Sequence, residues 1–391
     1  MSNKITASDR FEPAKILKLS NVFLRVVGIL PGHNDILSKI LSTFAITSVL
    51  FNVILGFIEI FLNFDGVNTM LKLEYLPSSI VVLAKIVTIL LMQKTVKQIF
   101  DEFQHFWPPQ KFTSANAAKA EEGFRFAYIC GMIFAVFVGL SCVLLAFVVY
   151  TSDTNIVIYR GYDICDYQTN LLCYRIMLYW NICTLFGHVL PIAYAFDFFF
   201  LACITYVYVG SEQLANGFKH LSLEVHPEND VLMQLRKDNL KEIVDQHNMI
   251  LKFVKLVNKL CSIILLVQFW CSLGSLTFSL YMSTVDGIPP DYDHLHYVML
   301  YMSFASEVLI FCVGGTISHD KLESVANDAF EVEWYLTGQS QLRKDLCFII
   351  QRSQNIRTLR VGNLSNLNLV LFVSILKTSA SMYTLINQLS P

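Results

Sequence analysis

Residues 41–62 read LSTFAITSVLFNVILGFIEIFL, an apolar run interrupted by a single charge, Glu59. A helix needs about 20 mostly apolar residues to cross a hydrocarbon core about 30 Å thick. The run therefore predicts a membrane span, S1. The stretch before it carries Lys4, Arg10, Lys15, Lys18, Arg25 and Lys39. That leader is too long, and too poor in a small-residue cleavage site, for a cleavable signal, so S1 is expected to be retained.

Working outward, six further runs follow: S2 at 76–92, S3 at 126–150, S4 at 176–209, S5 at 260–282, S6 at 295–317 and S7 at 364–389. S2 is the weakest, because Pro77 opens it and Lys85 sits inside it. The intervening loops decide the orientation. Of the 29 Lys and Arg residues, 24 fall on the N-terminal side of the alternating spans. Lys72, Arg160 and Arg175 alone fall on the other side, and Lys85 and Lys377 lie within spans. Basic loops stay in the cytoplasm. The sequence thus predicts an all-α integral membrane bundle of seven helices, N-terminus cytoplasmic and C-terminus outside.

The composition agrees, with 54% hydrophobic residues, 15% charged and a mean hydropathy of +0.50. A soluble globule needs more polar surface than this supplies. A net charge of −2 gives no basic field for nucleic acid. No HExxH, GxSxG, Walker A or GxGxxG occurs, so enzymatic chemistry and a cofactor are not expected. The ten cysteines are scattered without CxxC, and no metal site is expected. Cys165 and Cys173 lie in the outer loop, where a bridge between them is an even alternative to free thiols.

The organisation reads as a cytoplasmic N-terminal segment (1–40), a four-span bundle (41–209), a cytoplasmic helical extension (210–259), spans S5 and S6 (260–317), a cytoplasmic anchor region (318–362) and S7 with an outer C-terminus (363–391). In the extension, Val231, Leu235, Leu240, Ile243, Val244 and Ile250 recur among charged residues at helical spacing. The outer loop 151–175 is expected to be lid-like. Asn363-Leu364-Ser365 spells a glycosylation sequon, expected to be cytoplasmic and unused. Asp291, Asp293, His294 and His296 are expected to form a solvated loop cluster.

The last third holds the most specific pattern: Cys312, Gly315, Ser324, Trp334-Tyr335, Leu346, Arg352-Ser353-Gln354, Gly362, Ile375-Leu376-Lys377-Thr378-Ser379 and Ser381-Met382-Tyr383-Thr384. This resembles the C-terminal signature of the insect odorant receptors, with Ile356 and Ala380 departing from it. Span order and loop lengths agree over the whole chain. The resemblance implies an odorant-gated, non-selective cation channel in the plasma membrane of olfactory sensory neurons, assembled as a heterotetramer with a shared odorant receptor co-receptor. Its partners would be a small volatile organic ligand, membrane lipid and permeant cations. It also implies an odorant pocket among S2, S3, S4 and S6, and a pore lined by S7.

Residue expectations follow from both sources. Leu385, Gln388 and Leu389 fall at i, i+3 and i+4 on one helix face. They match the family's gate positions, and ordinary helix packing is the alternative. Lys85, Asp197 and Glu307 are ionisable within spans, where a charge costs about 2.5–3.5 kcal/mol unless it faces protein or water. Lys85 is therefore expected to pair with Asp197 or Glu307, as a structural clasp or as the polar floor of the cavity. Lys377 is expected to face the pore. The family's pocket location, with helical facing, marks Val82, Ile86, Phe137, Ser141, Ile192, Phe196, Tyr297 and Tyr301 as ligand contacts. Lipid contact is the alternative for the aromatics. A gustatory receptor of the same superfamily and a G-protein-coupled receptor are the competing readings. The second needs the opposite orientation and has neither DRY after S3 nor NPxxY in S7.

Overall fold

The structure, a computed structural model, describes residues 14–32, 35–63, 75–104, 114–151, 157–158, 161–223, 230–284, 292–332, 340–354 and 358–389. Trp334, Tyr335 and Asp291 lie outside the described residues, as does the side chain of Leu389. The helices are α1 (Ala14–Val26), α2 (Ile36–Leu62), α3 (Leu76–Leu91), α4 (Gln93–Gln104), α5 (Ser114–Thr151) and α6 (Leu171–Thr184). They continue as α7 (Leu190–Leu223), α8 (Asp230–Met282), α9 (Tyr292–Phe330), α10 (Ser340–Gln354) and α11 (Leu369–Leu389). A π-helical turn, Leu185–Val189, joins α6 to α7 without breaking the rod.

Five of these rods are long and apolar enough to cross a membrane, and α3 with α4 makes a sixth that bends by 79°. The bend follows from composition. Beyond Met92, Val96 and Ile99 are buried while Lys94 and Lys97 are exposed, so α4 turns its apolar stripe inward and leaves the membrane axis. The seventh span is the C-terminal half of α8, residues 260–282, which carry no charge. The protein is a seven-helix membrane bundle.

The spans outrun their sequence limits. S4, S5 and S6 are parts of continuous rods that extend beyond the apolar runs, so the divisions expected at 209/210, 259/260 and 317/318 fall inside helices. Nothing in those stretches breaks a helix, because polar residues there are amphipathically arranged: Leu240, Ile243 and Ile250 are buried and Val244 half-buried. S7 is shorter than expected. Leu364 sits in the turn of a small hairpin, β1 (Arg360–Val361) with β2 (Ser365–Asn366), whose register pairs Arg360 with Asn366. Gly362 in that turn has φ +55°, the left-handed region that favours glycine. Asn258 Oδ1 accepts from the Arg360 N–H at 2.8 Å, and Ser262 O accepts from the Gly362 N–H at 3.0 Å, fixing the hairpin to α8.

Two further ties hold the bundle. Glu212 on α7 accepts hydrogen bonds from Lys119 on α5 and Lys321 on α9, joining three rods at one point. Cys165, in the segment before α6, is disulfide-bonded to Cys173 in the first turn of α6, which resolves the alternative left open by the sequence. The Tyr162 N–H donates to the Leu55 carbonyl at 3.1 Å, so this segment is anchored on α2.

Candidate functional site

The site is organised by the need to keep charges out of lipid. Lys85 on α3, fully buried, donates to Asp197 on α7 at 3.2 Å and to Glu307 on α9 at 3.1 Å. Gln268 on α8 donates to the other Glu307 oxygen at 2.8 Å, and also to Ser272. The Lys85 ammonium further stands 5.0 Å from the Phe196 ring centre, where the ring's electron-rich face attracts a cation. Four helices therefore converge on one buried polar cluster. Both pairings weighed from the sequence are made at once.

Above this cluster lies a partly open cavity of about 100 Å³. Lys85, Glu307, Gln268 and Ser272 line its polar side; Val82, Phe134, Val138, Leu185, Val189, Leu300 and Phe304 line its apolar side. At its rim, His296 is buried between Tyr75 and Ser141. Its Nδ1 lies 3.1 Å from the Ser141 carbonyl and its Nε2 3.1 Å from the Tyr75 hydroxyl. A carbonyl can only accept, so Nδ1 carries the hydrogen and, in the neutral ring, Nε2 accepts from Tyr75. His296 is thus a structural tie within the bundle, correcting its expected place in a solvated cluster.

Of the expected ligand contacts, Val82 and Ser141 line this cavity. Ile86, Ile192 and Phe196 are fully buried behind its wall, with Phe196 packed on Phe311. Phe137, Tyr297 and Tyr301 are half-buried outside its lining, Tyr297 against Phe278. The cavity is lined by Phe134, Val138, Ser141 and Cys142 on α5, and by Leu300, Ser303, Phe304 and Glu307 on α9. A larger groove of about 680 Å³ runs between α5, α7 and α9. Its walls include the exposed Phe126, Ile129, Ile133 and Leu309, so it opens sideways toward lipid, and Glu122 and Arg125 stand at one end of its lining.

A second candidate element is α11. Ile375 and Ser379 are buried, and Phe372, Leu376, Tyr383 and Ile386 half-buried, forming one stripe against the bundle. The opposite side, with Ser374, Lys377, Thr378, Ser381, Thr384, Leu385 and Gln388, is exposed. Only 11% of its spanning window is buried. Leu385 and Gln388 share this exposed side; Leu389 falls in the same helix.

The 7tm Odorant receptor family matches residues 66–380 of the chain. Odorant receptor 22c of Drosophila melanogaster is 24% identical over 227 residues, 55% of this chain and 52% of that protein. Odorant receptor 85c of the same species is 26% identical over 147 residues, 38% of this chain and 37% of that protein. The chain thus matches about half the length, or less, of these curated relatives. The solved structure of the insect olfactory receptor OR5 from Machilis hrabei in complex with eugenol superposes with a TM-score of 0.84 at 12% identity, covering 98% of this chain and 100% of that one. OR5 without a named ligand gives 0.81 at the same identity and coverage.

Proposed function

The chain belongs to the seven-transmembrane odorant receptor family, and on that premise we propose that it is the odorant-binding subunit of a ligand-gated, non-selective cation channel, assembled as a heterotetramer with a co-receptor in the plasma membrane of olfactory sensory neurons. A small volatile binds in the cavity above Lys85 and Glu307. Its binding opens a pore lined by α11.

The observation that carries this reading is the exposed polar side of α11. Lys377 in lipid costs about 2.5–3.5 kcal/mol, and the hydroxyls beside it gain nothing from acyl chains. Thr378, Ser381 and Thr384 each return a hydrogen bond to a carbonyl of their own helix, which quiets the hydroxyl hydrogen and leaves lone pairs outward. Such a surface suits water or neighbouring subunits. Around a central axis, copies of Leu385 and Leu389 form a constriction narrow enough to dewet, with Gln388 amides beside it to meet a hydrating ion. Tyr383 meets Thr284 at 3.3 Å, so the outer end of α11 is registered against the end of α8.

The test is electrical. Cells expressing this chain with the co-receptor should pass odorant-evoked cation current, and Leu385→Ala with Leu389→Ala should raise the current at rest. Unaltered resting and evoked currents in that double variant rule out the gate. Filling the cavity with Ser141→Trp should abolish evoked current while surface expression persists.

A further inference from the structure

The charges at the cavity floor do not balance. One ammonium, Lys85, faces two carboxylates, Asp197 and Glu307, and no other cation pairs with either among the described residues. Their two bonded oxygens both touch the same Nζ, so the carboxylates are neighbours. Two like charges sharing a dry site cannot both ionise freely. The cluster holds either one proton or one uncompensated negative charge. The second Asp197 oxygen, buried, has no hydrogen-bond partner within the protein. Lys85 and Glu307, but not Asp197, border the cavity.

We propose that this cavity selects small volatile amines, with alcohols next and carboxylic acids excluded. The inference rests on the odorant-cavity reading above and adds the ligand's chemical class. A volatile amine is an ammonium at neutral pH and supplies the missing cation: it donates N–H hydrogen bonds to Glu307, the carboxylate that borders the cavity. Two cations then face two carboxylates, no covalent bond forms or breaks, and any proton the cluster held leaves to water. An alcohol donates one hydrogen bond to Glu307 without transferring charge. A carboxylate ligand adds a third negative charge where there is already one too many. Volume sets the size: an apolar cavity of about 150 Å³ holds benzene, so this one, at about 100 Å³, takes a molecule smaller than benzene.

Butylamine, 1-butanol, butanoic acid and pentane, applied to the full chain with its co-receptor, keep a short alkyl chain and vary the head. The amine should be more potent than pentane and the acid by about tenfold or more, the scale of a charge-assisted hydrogen bond. Glu307→Gln, checked for surface expression, should erase the amine's advantage over the alcohol. The proposal fails if the acid equals or exceeds the amine, if the amine evokes no current, or if the wild-type ranking survives Glu307→Gln. Ser141→Trp separates the two levels. If it leaves every response intact, the cavity is not the odorant site. If it abolishes them while the ranking contradicts the one above, only the ligand class is wrong.

Discussion

Replacing Lys85 by methionine removes the one cation that, among the described residues, pairs with Asp197 and Glu307. The side chain keeps its volume, so the cost is electrostatic. It loses hydrogen bonds at 3.2 and 3.1 Å and the contact with the Phe196 ring. Removing one partner of a buried pair costs about 3–5 kcal/mol, because the other charge stays buried and uncompensated. Native stabilities run about 5–15 kcal/mol. Lys85→Met should therefore lose most of its surface expression and melt well below wild type in detergent. Lys85→Met/Asp197→Asn/Glu307→Gln removes all three charges while keeping amides that can bond to one another and to Gln268. It should recover at least about 2 kcal/mol of the single variant's loss, since neutral replacement of a buried ion cluster is often tolerated. Normal trafficking and melting of Lys85→Met, or a triple variant worse than the single, would show that the cluster does not carry the energy assigned to it.

Other expectations concern separate parts of the molecule. His247 on α8 is buried, and burial, with Arg352 nearby, pushes its pKa down to about 4 from the ordinary 6.5. The folded state therefore prefers the neutral ring, so His247 contributes nothing unfavourable above pH 6.5 and costs stability as pH falls from 6.5 toward 4, by on the order of 3 kcal/mol at the limit. Melting curves at pH 7 and pH 5 should differ, and His247→Gln should narrow the gap. Gly315→Ala would press a methyl group onto the Leu367 carbonyl and side chain just ahead of α11. A loss of about 1–3 kcal/mol is expected, read as a lower melting point. Cys173→Ser, opening a loop between cysteines eight residues apart, should cost about 2–3 kcal/mol in the chain-entropy account. With the orientation read from the basic loops, an impermeant thiol reagent should label the freed and exposed Cys165 on intact cells, and an N-terminal epitope should be reached only after permeabilisation.

The spans and the charge cluster were legible in the sequence because both follow from single strong penalties: apolar runs need lipid, and intramembrane charges need partners. The cavity lining was less so, and the reason is phase. Tyr297 and Tyr301 share a face, but the α9 face that must point inward is fixed by Glu307. Counting back from it by helical steps gives Ser303, Leu300 and His296, the residues that in fact point inward. From Ser141 the count is ambiguous, since Val138 three residues back and Phe137 four back are both one turn away, and tertiary packing selects Val138 and Phe134. On α7 no such count could succeed through Leu185, because the π turn adds a residue and rotates everything before it. His296 itself read as one of a polar cluster, and only its tertiary partners, Tyr75 and the Ser141 carbonyl, reveal it as interior. Gln268 carried no sequence signal beyond being an amide in a charge-free run.

The unbroken course of α8 has a mechanical consequence. At about 1.5 Å per residue its 53 residues span about 80 Å. Gln268 touches the cavity floor, while Ser262 and Asn258, within three turns on the same rod, grip the hairpin from which α11 springs. In the channel proposed above, chamber and doorway would thus be mounted on a single beam. A molecule that tilts the beam at one point would displace the door's hinge by direct leverage.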